Sequence, residues 1–228
     1  SINDFPVINK SIIKENFTDF LSVKYDVADL HKVTTSGSTG APLTVYQDKV
    51  KRARHQADNI YFSEIGGYKI GTRLYYLRVW NDMNRKSPVQ RFMQNIVMVD
   101  AGDLSDDSLK SFIERIKKDS STISVLAFSS TYEALSHYLT KNNNPERLNI
   151  SSIITMSEAL PDGAKQRLRE VFNCPVVSRY SNMENGFLAQ QCIGENNEYH
   201  LNEASYYFEL LHPDKDEPVE TGKLGRIV

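Results

Sequence analysis

From Ser105 to Tyr180 the chain alternates amphipathic helical stretches with short, unbroken apolar runs. Few architectures accept that pattern. Ser105–Lys118 sets Leu109, Phe112, Ile113 and Ile116 along one helical stripe, with Ser105 as its cap. Thr122–Phe128 then reads as a strand. Thr131–Lys141 reads as a helix, stopped by Asn142-Asn143-Asn144-Pro145. Ile150–Met156 is a strand, Asp162–Phe172 a helix opened by Pro161 and Asp162, and Pro175–Tyr180 a strand. The strand runs are continuously apolar, so both of their faces must be covered. The expectation is an α/β fold: a buried, largely parallel sheet flanked by helices.

The first half is less regular. Ser11–Tyr25 reads as a short amphipathic helix or an extended approach. Val33–Val45 is a loop, with Lys32-Val33 and Leu43-Thr44-Val45-Tyr46 as strand pieces on either side. Asp48–Ile65 follows as a helix, capped by Asp48 and stopped by Gly66-Gly67. Its expected buried stripe is Val50, Ala53, Ala57, Ile60, Tyr61 and Ile65. Thr72–Trp80 is a strand with aromatic side chains on both faces, which we assign to core packing rather than to a ligand pocket. After Tyr180 the helices stop. Glu198–Leu201, Tyr206–Leu211 and Lys223–Val228 are expected as extra strands at the C-terminal end, in a meander or a second sheet.

Composition excludes several classes. The chain has 228 residues, enough for one large domain that needs no disulfide or metal to fold. Lys plus Arg is 27 and Asp plus Glu is 29, so no global charge draws it to nucleic acid or to an acidic membrane. The longest aliphatic runs, about Ile96–Val99 and Val125–Phe128, are far short of the roughly 20 residues a span needs. Two cysteines, Cys174 and Cys192, make no disulfide framework and point to a reducing, cytoplasmic setting. No repeat or low-complexity segment is present.

Three stretches carry candidate chemistry. In Thr34-Thr35-Ser36-Gly37-Ser38-Thr39-Gly40-Ala41-Pro42, five of the six residues from Thr34 to Thr39 bear hydroxyls. Gly37 and Gly40 let backbone amides turn toward an anion, and amides plus hydroxyls make a phosphate cradle. Only two residues separate the glycines and no Lys follows, so this is not a Walker A loop. A Gly/Ser surface loop is the alternative. Ser178-Arg179-Tyr180-Ser181-Asn182-Met183-Glu184-Asn185-Gly186 follows a strand, where open α/β sheets place ligand crevices. Tyr180 is suited to stacking on a base and Glu184 to ligating Mg²⁺. The alternative is a polar strand-to-helix turn. Thr155-Met156-Ser157-Glu158-Ala159-Leu160-Pro161 also follows a strand, and there Ser157 or Glu158 can equally well just support a turn.

Together these stretches resemble the adenylate-forming (AMP-binding) superfamily. Within it they look most like phenylacetate–CoA ligase-like proteins and their CapK-type relatives in capsular polysaccharide biosynthesis. The text from Thr35 to Val45 carries most of the weight, and the resemblance runs from about Pro6 to Val228. It implies that Thr35, Ser36, Gly37, Ser38, Thr39 and Gly40 wrap the β- and γ-phosphates of ATP. It implies that Ser157, Glu158 and Ala159 line the adenine pocket, that Tyr180 lies against the adenine, and that Glu184 holds Mg²⁺.

The activity so implied is ATP-dependent conversion of a carboxylic acid to an acyl-adenylate, with coenzyme A as a further candidate acceptor. The setting would be surface-polysaccharide or aromatic-acid metabolism. The partners would be the small-molecule acid and ATP, with a homodimer compatible. By the same resemblance the chain is an N-terminal portion: approach segment 1–32, phosphate loop 33–46, α/β core 47–190 and strand-rich tail 191–228. Ser1 and Val228 then read as cut ends. The family's catalytic Lys would lie beyond Val228 in an absent C-terminal domain, and this portion alone would be inactive.

Departures from the pattern motivate a rival. Ser181 stands where the family usually has Gly, Met183 where it usually has Thr, and Leu43 where many members have Lys. A thioether cannot donate the hydrogen bond a Thr gives to phosphate. The rival is an inactive homologue serving as a binding or scaffolding component. Two smaller signals are assigned blandly. Cys192 and His200 are too few for zinc and read as a free Cys and a strand His. Lys51-Arg52-Ala53-Arg54-His55 reads as a solvated helix face.

Overall fold

The computed structural model describes residues 5–35, 42–82, 84–142, 148–194 and 197–228. The chain divides into two compact units. One comprises the chain up to His55 with Met183–Gly186 and Asn202–Val228. The other comprises Gln56–Asn182 and Phe187–Leu201.

The second unit holds the predicted α/β core. Its strands are β3 (Arg73–Arg78), β4 (Ile96–Asp100), β5 (Ile123–Phe128), β6 (Ile150–Met156), β7 (Val176–Asn182), β8 (Gly186–Gln191) and β9 (Tyr199–Leu201). They form one seven-stranded sheet in the order β4-β3-β5-β6-β7-β8-β9. The five strands from β4 to β7 are parallel, and β9 runs antiparallel to β8. Crossovers are α3 (Pro88–Met93), α4 (Asp106–Lys118), α5 (Ser129–Lys141) and α6 (Asp162–Phe172). The chain leaves β3 toward β4 and then returns past β3 to β5, so strand order reverses between β3 and β5.

Alternation splits each strand between two apolar layers. Tyr75, Leu77, Val125, Ala127, Ile153 and Val176 join Leu109, Phe112, Ile113 and Ile116 of α4, and residues of α5 and α6, in the larger cluster. Leu126, Ile154, Met156 and Val177 face the other way, with Leu74, Tyr76 and Phe128 packed against them. Ser105 accepts a hydrogen bond from Ser108 N at 3.4 Å, as its capping role requires. Asp119, just past α4, accepts from Ser121 N at 2.9 Å, Arg73 Nη1 at 2.9 Å and Tyr75 Oη at 2.8 Å. Cys174 is buried, and burial pushes its thiol up to about 12, which makes it unreactive in the folded protein.

Helix α2 (Lys49–Ile65) runs where expected, with Asp48 accepting from Lys51 N at 2.6 Å, but its buried face is not the predicted one. Val50, Ala53, Ala57, Ile60 and Tyr61 are exposed, while Asp58, Phe62 and Ser63 are buried. The reason lies in what α2 covers. Phe62 stacks on Phe187 with centroids 4.8 Å apart, and Asn59 and Ser63 accept hydrogen bonds from Arg179. A cation beneath a helix calls for polar cover, which an apolar-stripe rule assigns to solvent.

Three elements of this unit are additions: β4, which falls on the aliphatic run Ile96–Val99, and α3 and β8. α3 carries a capping box between Ser87 and Gln90 with Pro88 in its first turn, a signal present in the sequence. β8 is buried at every position, although Gly186 opens it and Gln190 and Gln191 end it. Gln190 Nε2 donates to Ser178 O at 3.0 Å, and Gln191 Oε1 accepts from Ser178 N at 3.0 Å and from Lys165 Nζ at 2.7 Å.

The first unit is built around the antiparallel pair β1 (His31–Thr34) and β2 (Thr44–Gln47), with Val33 opposite Val45. The approach segment forms α1 (Lys10–Glu15) and a 3₁₀ turn at Phe17–Phe20, shorter than the predicted 11–25 stretch. To this unit the described tail contributes β10 (Leu210–Leu211) and β11 (Arg226–Ile227), paired antiparallel in a separate two-stranded sheet. The predicted strand from Tyr206 therefore starts late. Ser205 N and Tyr206 N both donate to Asn202 O, which bends the chain there.

The basic run in α2 is not simply solvated. Lys51 donates to Tyr206 Oη and sits 4.5 Å over its ring, and Arg54 Nε donates to Ser205 Oγ at 2.9 Å. No helix among the described residues is long and apolar enough to cross a membrane.

Candidate functional site

In the second unit the carboxyl edge of β6 and β7 brings two predicted stretches side by side. Thr155 pairs with Ser178 at the last step of the parallel register, and Ser157 and Tyr180 each follow two residues further on. Both strands are buried up to this edge and then emerge. Thr155 and Met156 are buried, while Ser157, Glu158 and Ala159 are exposed. Ser178 is buried and Tyr180 is 46% exposed. An apolar sheet thus ends in an exposed aromatic ring beside an exposed turn. That arrangement can hold a flat, polar-edged ligand against the carboxyl edge of the sheet.

The turn is held firmly. Ser157 has φ of +70°, rare for a non-glycine residue. Ser129 Oγ shares a 2.6 Å hydrogen bond with Thr155 Oγ1 and donates to Glu158 O at 2.8 Å. Glu158 Oε2 accepts from Ser130 N at 3.3 Å, so its carboxylate caps α5, which has no side-chain cap at Phe128. Supporting the turn is therefore one demonstrable task of Glu158. It leaves Ser157 and Ala159 free to face a ligand.

In the first unit the described part of the hydroxyl loop is its base. Thr35 N donates to Leu43 O at 2.9 Å, and Leu43 N donates to Thr35 Oγ1 at 3.0 Å. Thr34 and Thr44 hydroxyls lie 3.3 Å apart on the same hairpin. Thr35 is thus a clamp at the base of the loop, its backbone donating and its hydroxyl accepting across the hairpin. Ser36, Gly37, Ser38, Thr39 and Gly40 lie outside the described residues.

Glu184 belongs to the β7–β8 turn, a strand-to-strand connection rather than the strand-to-helix turn considered above. Four first-unit residues hold that turn. Gln47 Nε2 donates to Glu184 O at 3.3 Å, and Tyr206 Oη donates to Asn185 O. Lys10 Nζ lies 3.7 Å from Glu184 Oε1, and the His55 ring presses on Gly186. The Lys10 contact is long for a charge-assisted hydrogen bond, so the carboxylate keeps lone pairs open to a hard cation. Met183 is 59% exposed, beside Glu184 in the same turn.

No group of three His, Cys, Asp or Glu side chains able to hold a metal occurs among the described residues. A single carboxylate fits Mg²⁺ only together with phosphates and water, and Glu184 is compatible with that use. His200 packs near Phe62 and Tyr61, with ring centroids 5.9 and 6.4 Å away.

The first unit also contains a pocket of about 330 Å³, lined by Phe17, Phe20, Tyr25, Tyr46, Asp48 and Lys51 among others. Nothing in the sequence pattern announced it, because its walls come from separate short elements.

The sheet order, the helices around it and the exposed edge define an α/β fold of the kind found in adenylate-forming enzyme domains. Among solved structures the chain resembles 2-hydroxyisobutyryl-CoA ligase in complex with 2-HIB-AMP and CoA, with a TM-score of 0.72 and 16% identity over 100% of this chain and 56% of that one. It also resembles ATP-bound MatB from Rhodopseudomonas palustris, with a TM-score of 0.60 and 14% identity over 91% of this chain and 41% of that one. The chain spans about half the length of these proteins. No family model and no curated protein sequence matches it.

Proposed function

We propose that this chain is the nucleotide-binding portion of an adenylate-forming acid ligase. The whole protein would join a carboxylic acid to the α-phosphate of ATP, releasing pyrophosphate and forming an acyl-adenylate. Transfer of the acyl group to coenzyme A would follow. What supports this most is the exposed Tyr180 near the carboxyl end of β7, on the strand beside the one that leads into the exposed Ser157 turn.

We assign Tyr180 to stacking on adenine, and Ser157 and Ala159 to its edge, with Glu158 fixing their turn. We assign Thr35, Ser36, Gly37, Ser38, Thr39 and Gly40 to the β- and γ-phosphates. Glu184 would hold Mg²⁺, which supplies positive charge against the phosphates. The full protein would then extend beyond this chain and bring its catalytic Lys from there. A surface-polysaccharide or aromatic-acid role, of phenylacetate–CoA ligase or CapK type, and a cytoplasmic setting belong to the same proposal.

Titration calorimetry of MgATP into the chain tests it. Binding is expected, and Tyr180→Ala is expected to weaken it by about tenfold, the scale of one lost base–aromatic stack. Glu184→Gln is expected to remove most of the difference between ATP with and without Mg²⁺. A chain that binds no ATP overturns the proposal. The exposed Met183, unable to donate to phosphate, keeps the non-catalytic rival in view. Gain of acid-dependent pyrophosphate exchange in the full-length protein on Met183→Thr with Ser181→Gly would favour the rival. An active wild type would reject it.

A further inference from the structure

The pocket of the first unit takes its rings from three separate parts of the chain. Phe17 and Phe20 come from the 3₁₀ turn, Tyr25 from the stretch after it, and Tyr46 from β2. Phe17 and Tyr46 form a tilted pair, with centroids 6.1 Å apart and planes inclined at 49°. Phe20 and Tyr25 are exposed, so the rings can be reached from solvent. An apolar cavity of about 150 Å³ already admits benzene. A pocket of about 330 Å³ therefore has room for an aromatic ring with a short chain.

One anionic group is set into this wall. Asp48 accepts from Lys51 N at 2.6 Å and from the Tyr25 phenol, and these two hydrogen bonds hold its carboxyl below the usual range. A carboxylate offers about four acceptor sites, so two stay open. Among the described residues no cation pairs with Asp48. Lys51 also lines the pocket, but its ammonium donates to Tyr206 Oη and sits 4.5 Å over that ring, and Tyr206 lies outside the wall. The other polar side chains of the wall are engaged elsewhere. Gln47 Nε2 donates to Glu184 O, Ser22 Oγ accepts from Lys24 N, and the Thr44 hydroxyl meets that of Thr34. What the pocket offers a ligand is ring surface and one carboxylate.

We infer that this pocket binds an organic ammonium ion with a small aromatic or apolar body, its charge on Asp48 and its body among Phe17, Phe20, Tyr25 and Tyr46. Ring faces are electron-rich and attract a cation, and the carboxylate adds a charge-assisted hydrogen bond from the ammonium. An organic anion would meet Asp48 with like charge. A neutral molecule of the same shape would gain the apolar contact alone. The site stands apart from the nucleotide reading and does not depend on it.

Phenethylamine, 2-phenylethanol and 3-phenylpropionate share a ring and a two-carbon chain and differ in charge. Titration calorimetry of each into the chain is the test. Phenethylamine is expected to bind about tenfold more tightly than phenylethanol, with phenylpropionate the weakest. Asp48→Asn keeps an acceptor for Lys51 N and is expected to bring amine and alcohol within about threefold. Ile13→Trp, which fills the pocket from α1 and leaves Asp48 in place, is expected to abolish binding of both. Melting curves check that these variants fold. Phe20→Leu, at an exposed ring, is expected to weaken the amine about threefold and the alcohol less. Equal binding of amine and alcohol overturns the inference, as does tighter binding of the propionate. So does an amine preference that survives Asp48→Asn, or binding that Ile13→Trp leaves unchanged.

Discussion

Asp119→Ala is expected to lower the unfolding free energy by about 3 kcal/mol at pH 7, read by urea denaturation. Asp119 accepts from Ser121 N, from the Arg73 guanidinium and from Tyr75 Oη. Removing it strands an arginine and a buried phenol at once. Desolvation pushes the Asp119 carboxyl up, but the hydrogen bonds from Ser121 N, Arg73 and Tyr75 outweigh it, and the net value is about 2. An unfolded Asp titrates near 4. The wild type should therefore hold this contribution, about 2 kcal/mol, above pH ~4 and lose it as the pH falls from about 4 to about 2. Asp119→Asn should flatten that part of the stability profile. An unchanged slope would show that other carboxylates carry it.

Gly186→Ala is expected to cost about 2–4 kcal/mol, combining strain at positive φ with overpacking. Gly186 has φ of +100°, and a Cβ there would lie 2.3 Å from His55 Nδ1 and 2.9 Å from His55 Cε1. The ring cannot retreat cheaply, since it already packs on that turn. His55→Ala makes room, so the double variant should recover about 1 kcal/mol of the summed cost. Purely additive costs would place the whole effect in the backbone. Glu184 sits two residues away, so MgATP affinity of Gly186→Ala should fall together with stability.

The parts of this protein that were legible in advance are those where one rule acts alone. Helix α4 announces itself through Ser105 and four apolar residues on one stripe, and every one of them is buried. Strands β5 and β6, and β7 at Val176 and Val177, put buried residues on both faces and so lie inside a covered sheet. The edge carrying Ser157 and Tyr180 followed from knowing where such strands end.

What stayed hidden depends on polar groups satisfying one another across the fold. β8 buries Gln190 and Gln191 because Ser178 and Lys165 meet them, and no local pattern says so. The buried face of α2 is set by Arg179, more than a hundred residues further along. α3 carries its Ser87–Gln90 box in the sequence, but its apolar residues Val89, Phe92 and Met93 are exposed and make no inward stripe.

The two thiols give the molecule a built-in clock. Cys174 is enclosed and protonated, whereas Cys192 is only half-buried. An alkylating reagent meets Cys174 only in molecules that have opened the core beneath α6, so the rate of that second labelling event counts how often the sheet comes apart.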